Sequence, residues 1–280
     1  MILKTPQGRI YFEVAGEGHP LVFVSGWAMS SECWRPAAEL LESRFRCLTY
    51  DSRGIARSQP VPVDARFGVE DLVEDLHALI QTTGSYDATI IGHEIGALVA
   101  ALCARRHPQD VSSLVIVSPR PPMADSDLRK LAVVTPASLA LREIAAYPVV
   151  RTIVAWRFRR APRPYKERLF DDFAGLNPRA AYETALSVAS LDAEHRLDEL
   201  VVKAGVPVLV VCGDKDRKGL KEARAIFSRV DTGRLATLRD CGFLPMLEYP
   251  RQFARLIESF IIVNRRAARR SIERRRPRDN

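Results

Sequence analysis

Ile90-Ile-Gly-His-Glu-Ile-Gly-Ala97 runs from a strand through a turn into a helix. Residues 88–91 form a short apolar, β-branched run, the pattern of a buried strand. Residues 95–106 repeat apolar side chains at helical spacing. Gly92 lies in the turn between the two, Gly96 in the first turn of the helix, and Glu94 stands between the glycines. The same alternation continues outward in both directions. Residues 9–14, 20–24, 46–50, 113–117, 207–212 and 234–238 read as strands, and several are apolar on both faces, as strands inside a parallel sheet must be. Residues 69–82 carry Leu72, Leu76, Leu79 and Ile80 on one helical face, and 221–229 and 251–262 also read as helices. The expected fold is therefore α/β, a mostly parallel, doubly wound sheet covered by helices on both faces.

One segment breaks the alternation. Residues 119–197 contain no convincing strand, are helical in pattern and are punctuated by prolines from Pro119 to Pro178. A long helical insertion between two strands of an open sheet reads as a lid over the edge where ligands bind. The expected division is a core of residues 1–118 and 198–263, a helical lid of 119–197 and a basic, disordered tail of 264–280. The tail holds most of the charge: residues 265–280 carry eight arginines against Glu273 and Asp279, six of the net +8 of the whole chain. It reads as a solvated end. With no aromatic residue interleaved, nucleic acid is not the expected partner. Five scattered cysteines, Cys33, Cys47, Cys103, Cys212 and Cys241, read as reduced thiols of a cytoplasmic protein. No apolar run approaches the roughly 20 residues of a membrane span.

Five local patterns fall in one order: Leu21-Val-Phe-Val-Ser-Gly-Trp27, Asp51-Ser-Arg-Gly-Ile-Ala-Arg-Ser58, the elbow at 90–97, Val210-Val-Cys-Gly-Asp-Lys-Asp216 and Asp240-Cys-Gly-Phe-Leu-Pro-Met-Leu-Glu-Tyr-Pro250. Together they resemble the α/β-hydrolase family, in particular its esterases, carbon–carbon-bond hydrolases and epoxide-hydrolase-like members, over about residues 8–263. The resemblance implies a nucleophile elbow at 90–97, whose strained turn lifts one side chain above the sheet. The residue at the nucleophile position is Glu94, where serine usually stands. The acid position falls on Asp216, with Asp214 as second choice. The base position falls on Phe243, whose ring can neither accept nor relay a proton. The oxyanion hole would use the backbone N–H groups of Ile95 and of the Gly26–Trp27 region, with Ser25 lining the pocket beside Phe243.

These departures remove ordinary triad hydrolysis from the expectation, since nucleophile and base are both absent. Two accounts of Glu94 remain. As an acid or base in a dry pocket, it would serve isomerisation, elimination, decarboxylation or cyclisation of a small, largely apolar molecule, which need proton transfer without a covalent intermediate. As a plug, it would accept the oxyanion-hole N–H groups at a helix N-terminus and leave an inert ligand- or partner-binding protein. The first is the expectation and the second the alternative; a hydrolase with a relocated catalytic group is the third. His19, His77, His93, His107 and His195 read as structural or solvated, with His93 facing away from Glu94. Cys241 reads as a packing residue. No metal ligand spacing and no phosphate or dinucleotide loop is visible, so neither metal nor cofactor is expected. Arg157, Arg159, Arg160, Arg163, Lys166 and Arg168 suggest an acidic carrier protein as a partner of the lid, beside the simpler reading of a solvated helix face.

Overall fold

The computed structural model describes residues 1–120, 160–191 and 196–275, without the side chains of 173–174 and 268–275. Among these residues eight strands form one sheet: β1 Ile2–Thr5, β2 Gly8–Ala15, β3 His19–Val24, β4 Phe45–Tyr50, β5 Ala88–His93, β6 Val111–Val117, β7 Val208–Gly213 and β8 Gly233–Leu238. Their order across the sheet is β1-β2-β4-β3-β5-β6-β7-β8. β2 is antiparallel to β1 and β4, and every other pairing is parallel. All seven strands expected from the sequence are present. β1 was not expected, because four alternating residues at the sheet edge carry too little apolar signal.

Chain direction across the sheet reverses at β3. The chain passes from β3 to β4 on one side, then crosses back to place β5 on the other. A crevice opens at such a switch point, outside the carboxyl ends of the strands. The loop after β3 and the elbow after β5 both end there.

Helices cover the two faces. α2 Val69–Thr83 and α3 Ile95–Arg106 pack on one face, with α6 Leu197–Ala204 and α7 Arg217–Phe227 beside them. α1 Arg35–Leu41, α8 Pro245–Glu248 and α9 Pro250–Arg275 pack on the other. α2 shows why its sequence is helical: Val69, Leu72, Val73, Leu76, Leu79 and Ile80 are all buried on one stripe. Its first turn is closed by Asp71 Oδ2, which accepts from Gly68 N at 3.0 Å, and it ends at Gly84, whose φ of 63° suits glycine. α3 is thinner, rich in alanine, and buried along nearly its whole length against the sheet and α2.

Of the segment read as a lid, residues 121–159 and 192–195 lie outside the described residues; its described part holds two helices, α4 Arg163–Ala174 and α5 Pro178–Ala189. Asn177 caps α5, its Oδ1 accepting from Arg179 N and Ala180 N. α4 is fastened to the core through Asp172, whose carboxylate accepts from both the N–H and the hydroxyl of Ser30. Two boundaries differ from expectation. α7 begins at Arg217 rather than 221, because Asp216 caps it. α9 runs to Arg275, into the segment read as a disordered tail, where arginine, alanine and glutamate favour helix.

Candidate active site

β5 ends at His93 and α3 begins at Ile95, so Glu94 alone turns the chain. It does so at φ 53°, a backbone conformation that costs a non-glycine residue about 1–3 kcal/mol. The surroundings enforce it. Glu94 N donates to Val117 O at 3.1 Å, and Glu94 O accepts from Ala97 N at 3.1 Å. A Cβ at Gly92 would collide with the carbonyl of Gly96, and one at Gly96 with the carbonyl of Val24. Both glycines are thus required by close backbone approach, as the elbow reading expected.

The half-buried Glu94 side chain reaches back over the loop after β3. Trp27 N donates to Glu94 Oε2 at 3.2 Å. That N–H is the one the resemblance assigns to the oxyanion hole. The loop comes so close because residue 26 is glycine: a Cβ there would stand 2.9 Å from Glu94 Oε2 and 2.6 Å from His93 Nδ1. Both side chains therefore border Gly26. His93 was expected to face away from Glu94, as strand alternation demands. The positive φ at Glu94 breaks that alternation and turns both towards the β3 loop.

His93 is fully buried, and its Nε2 donates to the Phe243 carbonyl at 3.0 Å. Its ring centroid lies 4.5 Å from that of Phe243. Phe243 thus holds the imidazole with its backbone while its own ring packs against it. The other face of Phe243 meets Arg120, whose guanidinium carbon lies 4.2 Å from the ring centroid. Arg120 Nη1 donates to Asp216 Oδ1 at 2.7 Å, and Gly219 N donates to the same oxygen at 3.2 Å. Asp216 is the N-cap of α7 and the ion-pair partner of Arg120. Asp214 faces Lys215, with its carboxylate 3.9 Å from Nζ.

Arg120 was missed in the sequence. It falls at the start of the segment read as lid, and nothing in its neighbours signals a partner 96 residues away.

Ser25, Gly26, Trp27 and Ile95 line a cavity of about 30 Å³, roofed by Ala180, Ala181 and Thr184 of α5. That volume holds about one or two water molecules. Trp27 Nε1 donates to Ala181 O at 3.1 Å and ties α5 to the β3 loop. Ser25 is buried, its hydroxyl donating to Ser30 O at 3.2 Å. Phe243 stands apart from this cavity, on the Arg120 side of His93.

The remaining candidates sort by burial. His19 bonds Thr89 Oγ1 through Nε2 at 2.9 Å, and burial lowers its pKa to about 4. Cys241 is buried and burial pushes its thiol up, so it packs, as expected. Arg160, Arg163 and Arg168 face Asp240, Glu167 and Glu32 in ion pairs. Arg157, Arg159 and His195 lie outside the described residues. No metal-ligand spacing is visible along the sequence, but the fold brings one ligand atom each of His77, His107 and Asp110 within 4.8 Å of one another at the far end of α3. Linear spacing hid them, because α2 and the end of α3 meet only in the folded chain.

Residues 19–230 match the family model of the alpha/beta hydrolase fold. The chain is 26% identical to a pimeloyl-[acyl-carrier protein] methyl ester esterase of Aeromonas hydrophila, over 88% of this chain and 96% of that one. A carboxylesterase structure from Nitrososphaera gargenis superposes with a TM-score of 0.78 at 18% identity, covering 95% of this chain and all of that one. An enol-lactonase from Burkholderia xenovorans superposes with a TM-score of 0.77 at 18% identity, covering 94% of this chain and 100% of that one. Among the described residues no helix is long and apolar enough to cross a membrane.

Proposed function

The chain belongs to the α/β-hydrolase fold family, and on that premise we propose that this member binds a small, largely apolar molecule at the elbow without triad hydrolysis. The observation that carries the reading is the 3.2 Å hydrogen bond from Trp27 N to Glu94 Oε2. A carboxylate holds the donor that would otherwise meet a developing oxyanion. The rest of the site agrees with it. Phe243 offers no base, and Asp216 is paired with Arg120 rather than with a histidine. The carboxylate of Glu94 sits on a backbone donor beside the N-terminus of α3.

A second reading is non-hydrolytic acid/base catalysis by Glu94: isomerisation, elimination, decarboxylation or cyclisation. The observation that favours it is His93, which borders Gly26 together with Glu94 and is oriented by the Phe243 carbonyl. An imidazole and a carboxylate so placed could pass a proton between them. The relative from Aeromonas acts, by its name, on an ester carried by acyl carrier protein. A carrier protein as bearer of the ligand is a third element of the proposal, weakened by the pairing of Arg160, Arg163 and Arg168 within the chain.

The deciding experiment recovers a ligand from host extract, then measures affinity and product formation for the wild type, Glu94→Gln and Glu94→Ala. For the binder, no product forms with any of the three, Glu94→Gln leaves affinity unchanged, and Glu94→Ala tightens binding of an anionic ligand by removing a negative charge. Product formed by the wild type and lost in Glu94→Gln, with affinity intact, would establish the acid/base role instead.

A further inference from the structure

At the opposite end of α3, about 18 Å from the elbow by helix rise, three elements bring imidazole and carboxylate groups together. His77 projects from α2. His107 is the residue on which α3 ends, and Asp110 lies in the short turn, residues 108–110, that leads into β6. The two imidazole rings stack face to face, with centroids 3.8 Å apart and planes within 8°. Asp110 is fully buried, and its Oδ2 lies 2.6 Å from His77 Nδ1. One donor atom each from His77, His107 and Asp110 lies within 4.8 Å of the others. Glu74, one turn before His77 on the same face of α2, places Oε1 3.4 Å from His107 Nε2.

We propose that this cluster is a binding site for a divalent transition-metal ion, with His77, His107 and Asp110 as its ligands and Glu74 as a fourth. The donor set decides the class of ion. Two imidazoles with carboxylate oxygens suit zinc, nickel or copper, whereas calcium and magnesium take oxygen donors. The fit requires the side chains to rearrange. Ligand atoms about 2.0–2.2 Å from a zinc ion lie about 3.2–3.6 Å apart, so Asp110 Oδ2 and His77 Nδ1, 2.6 Å apart, must open by about 1 Å, the wider donor pairs must close by about 1 Å, and the stacked rings must rotate to aim at one ion. The histidines can supply this movement, since their side chains are 25% and 18% exposed. Asp110 is the fixed point, held between His77 and Gln81, whose Nε2 lies 3.4 Å from Oδ1.

Charge favours a cation. Asp110 and Glu74 together balance a divalent ion held by neutral imidazoles. The neighbouring Arg106 is paired with Glu70 and lies 3.8 Å from Glu74. A bound ion would pin α2 to the junction of α3 and β6, so the site would tie elements together and leave the elbow chemistry untouched.

The test uses the full chain without a histidine tag, stripped of metal by chelation and titrated with zinc in a calorimeter. Copper-loaded protein is examined by electron paramagnetic resonance. The expected result is one ion per chain, nitrogen hyperfine structure from two imidazoles, and affinity weakened at least about tenfold in His107→Gln and in His77→Gln. His19→Gln is expected to bind as the wild type does. His107→Gln is the safer variant, because the contact of His107 with Glu74 lies at the surface. It decides the matter if His77→Gln fails to fold. Absence of saturable binding up to millimolar zinc would overturn the proposal. So would affinity unchanged in a folded His107→Gln.

Discussion

At the scale of single residues, Glu94 and Phe243 stand, on the proposed reading, at the nucleophile and base positions of a hydrolytic triad and Asp216 at the acid position. Arg120 Nη1 donates to Asp216 Oδ1 at 2.7 Å. The double change Glu94→Ser with Phe243→His supplies both missing groups but leaves Asp216 on Arg120. Adding Arg120→Ala frees the carboxylate to orient the new imidazole. An unoriented base costs about four orders of magnitude in a working triad. The triple variant should therefore hydrolyse activated short-chain aryl esters at least about tenfold faster than the double variant. Further change of Asp216→Asn should remove the gain. Equal rates in the double and triple variants would show that Arg120 does not keep Asp216 from its partner. Glu94, Phe243 and Asp216 could be proposed from the sequence because each sits inside a local motif. Arg120 and the orientation of His93 were not, because one is a long-range pair and the other follows from a single backbone dihedral.

At the scale of elements, the elbow depends on how closely β5, α3 and the β3 loop approach. Gly96→Ala would drive a methyl group into the Val24 carbonyl, a backbone atom that cannot swing aside. It should lower stability by about 1–3 kcal/mol or more in denaturant unfolding, through backbone displacement. The docking of α4 carries its own pH dependence. Desolvation raises the Asp172 pKa from 3.8 to about 6, against the hydrogen bonds from Ser30 that lower it. Between those two values the folded state binds the extra proton. Its contribution is therefore full below about pH 4 and is lost as pH rises through 6, a change of about 3 kcal/mol at most. Asp172→Asn, which keeps an acceptor for Ser30, should flatten the dependence of stability on pH between 4 and 6. An unchanged slope would mean that Asp172 does not titrate as its burial implies.

At the scale of the whole molecule, burial and charge are carried by different parts. Phe253, Ile257, Phe260 and Ile261 anchor α9 in the core, while Arg265, Arg266 and Ala267 are exposed. Removing residues 265–280 should change stability by no more than about 0.5 kcal/mol. It should also reduce salt-sensitive retention on a polyanionic resin, since six of the eight net positive charges go with it. Inside the molecule the sign reverses. Arg53 and Asp75 are both 4% exposed and join the loop after β4 to α2. Arg53→Met should destabilise by about 3–5 kcal/mol, because a buried carboxylate is left without its cation, and Arg53→Met with Asp75→Leu should recover most of the loss.

The strands, the main helices and the elbow could be read from the sequence because each rests on local spacing. Periods of two and 3.6, glycines four apart, and a cap or proline at a boundary are all visible within a dozen residues. The proposed placing of Glu94 and Phe243 at the nucleophile and base positions rests on the same kind of local motif. Only the tertiary structure decided what those positions touch. Glu94 takes the Trp27 N–H because β3 and β5 are neighbours in the sheet, a pairing of residues 67 apart. Asp216 takes Arg120 because β6 and β7 are neighbours, and His77, His107 and Asp110 meet because α2 crosses the end of α3. Local pattern determines which element forms. The side chains that face one another across elements are set by packing, which brings together residues whose separation along the chain carries no periodic signal.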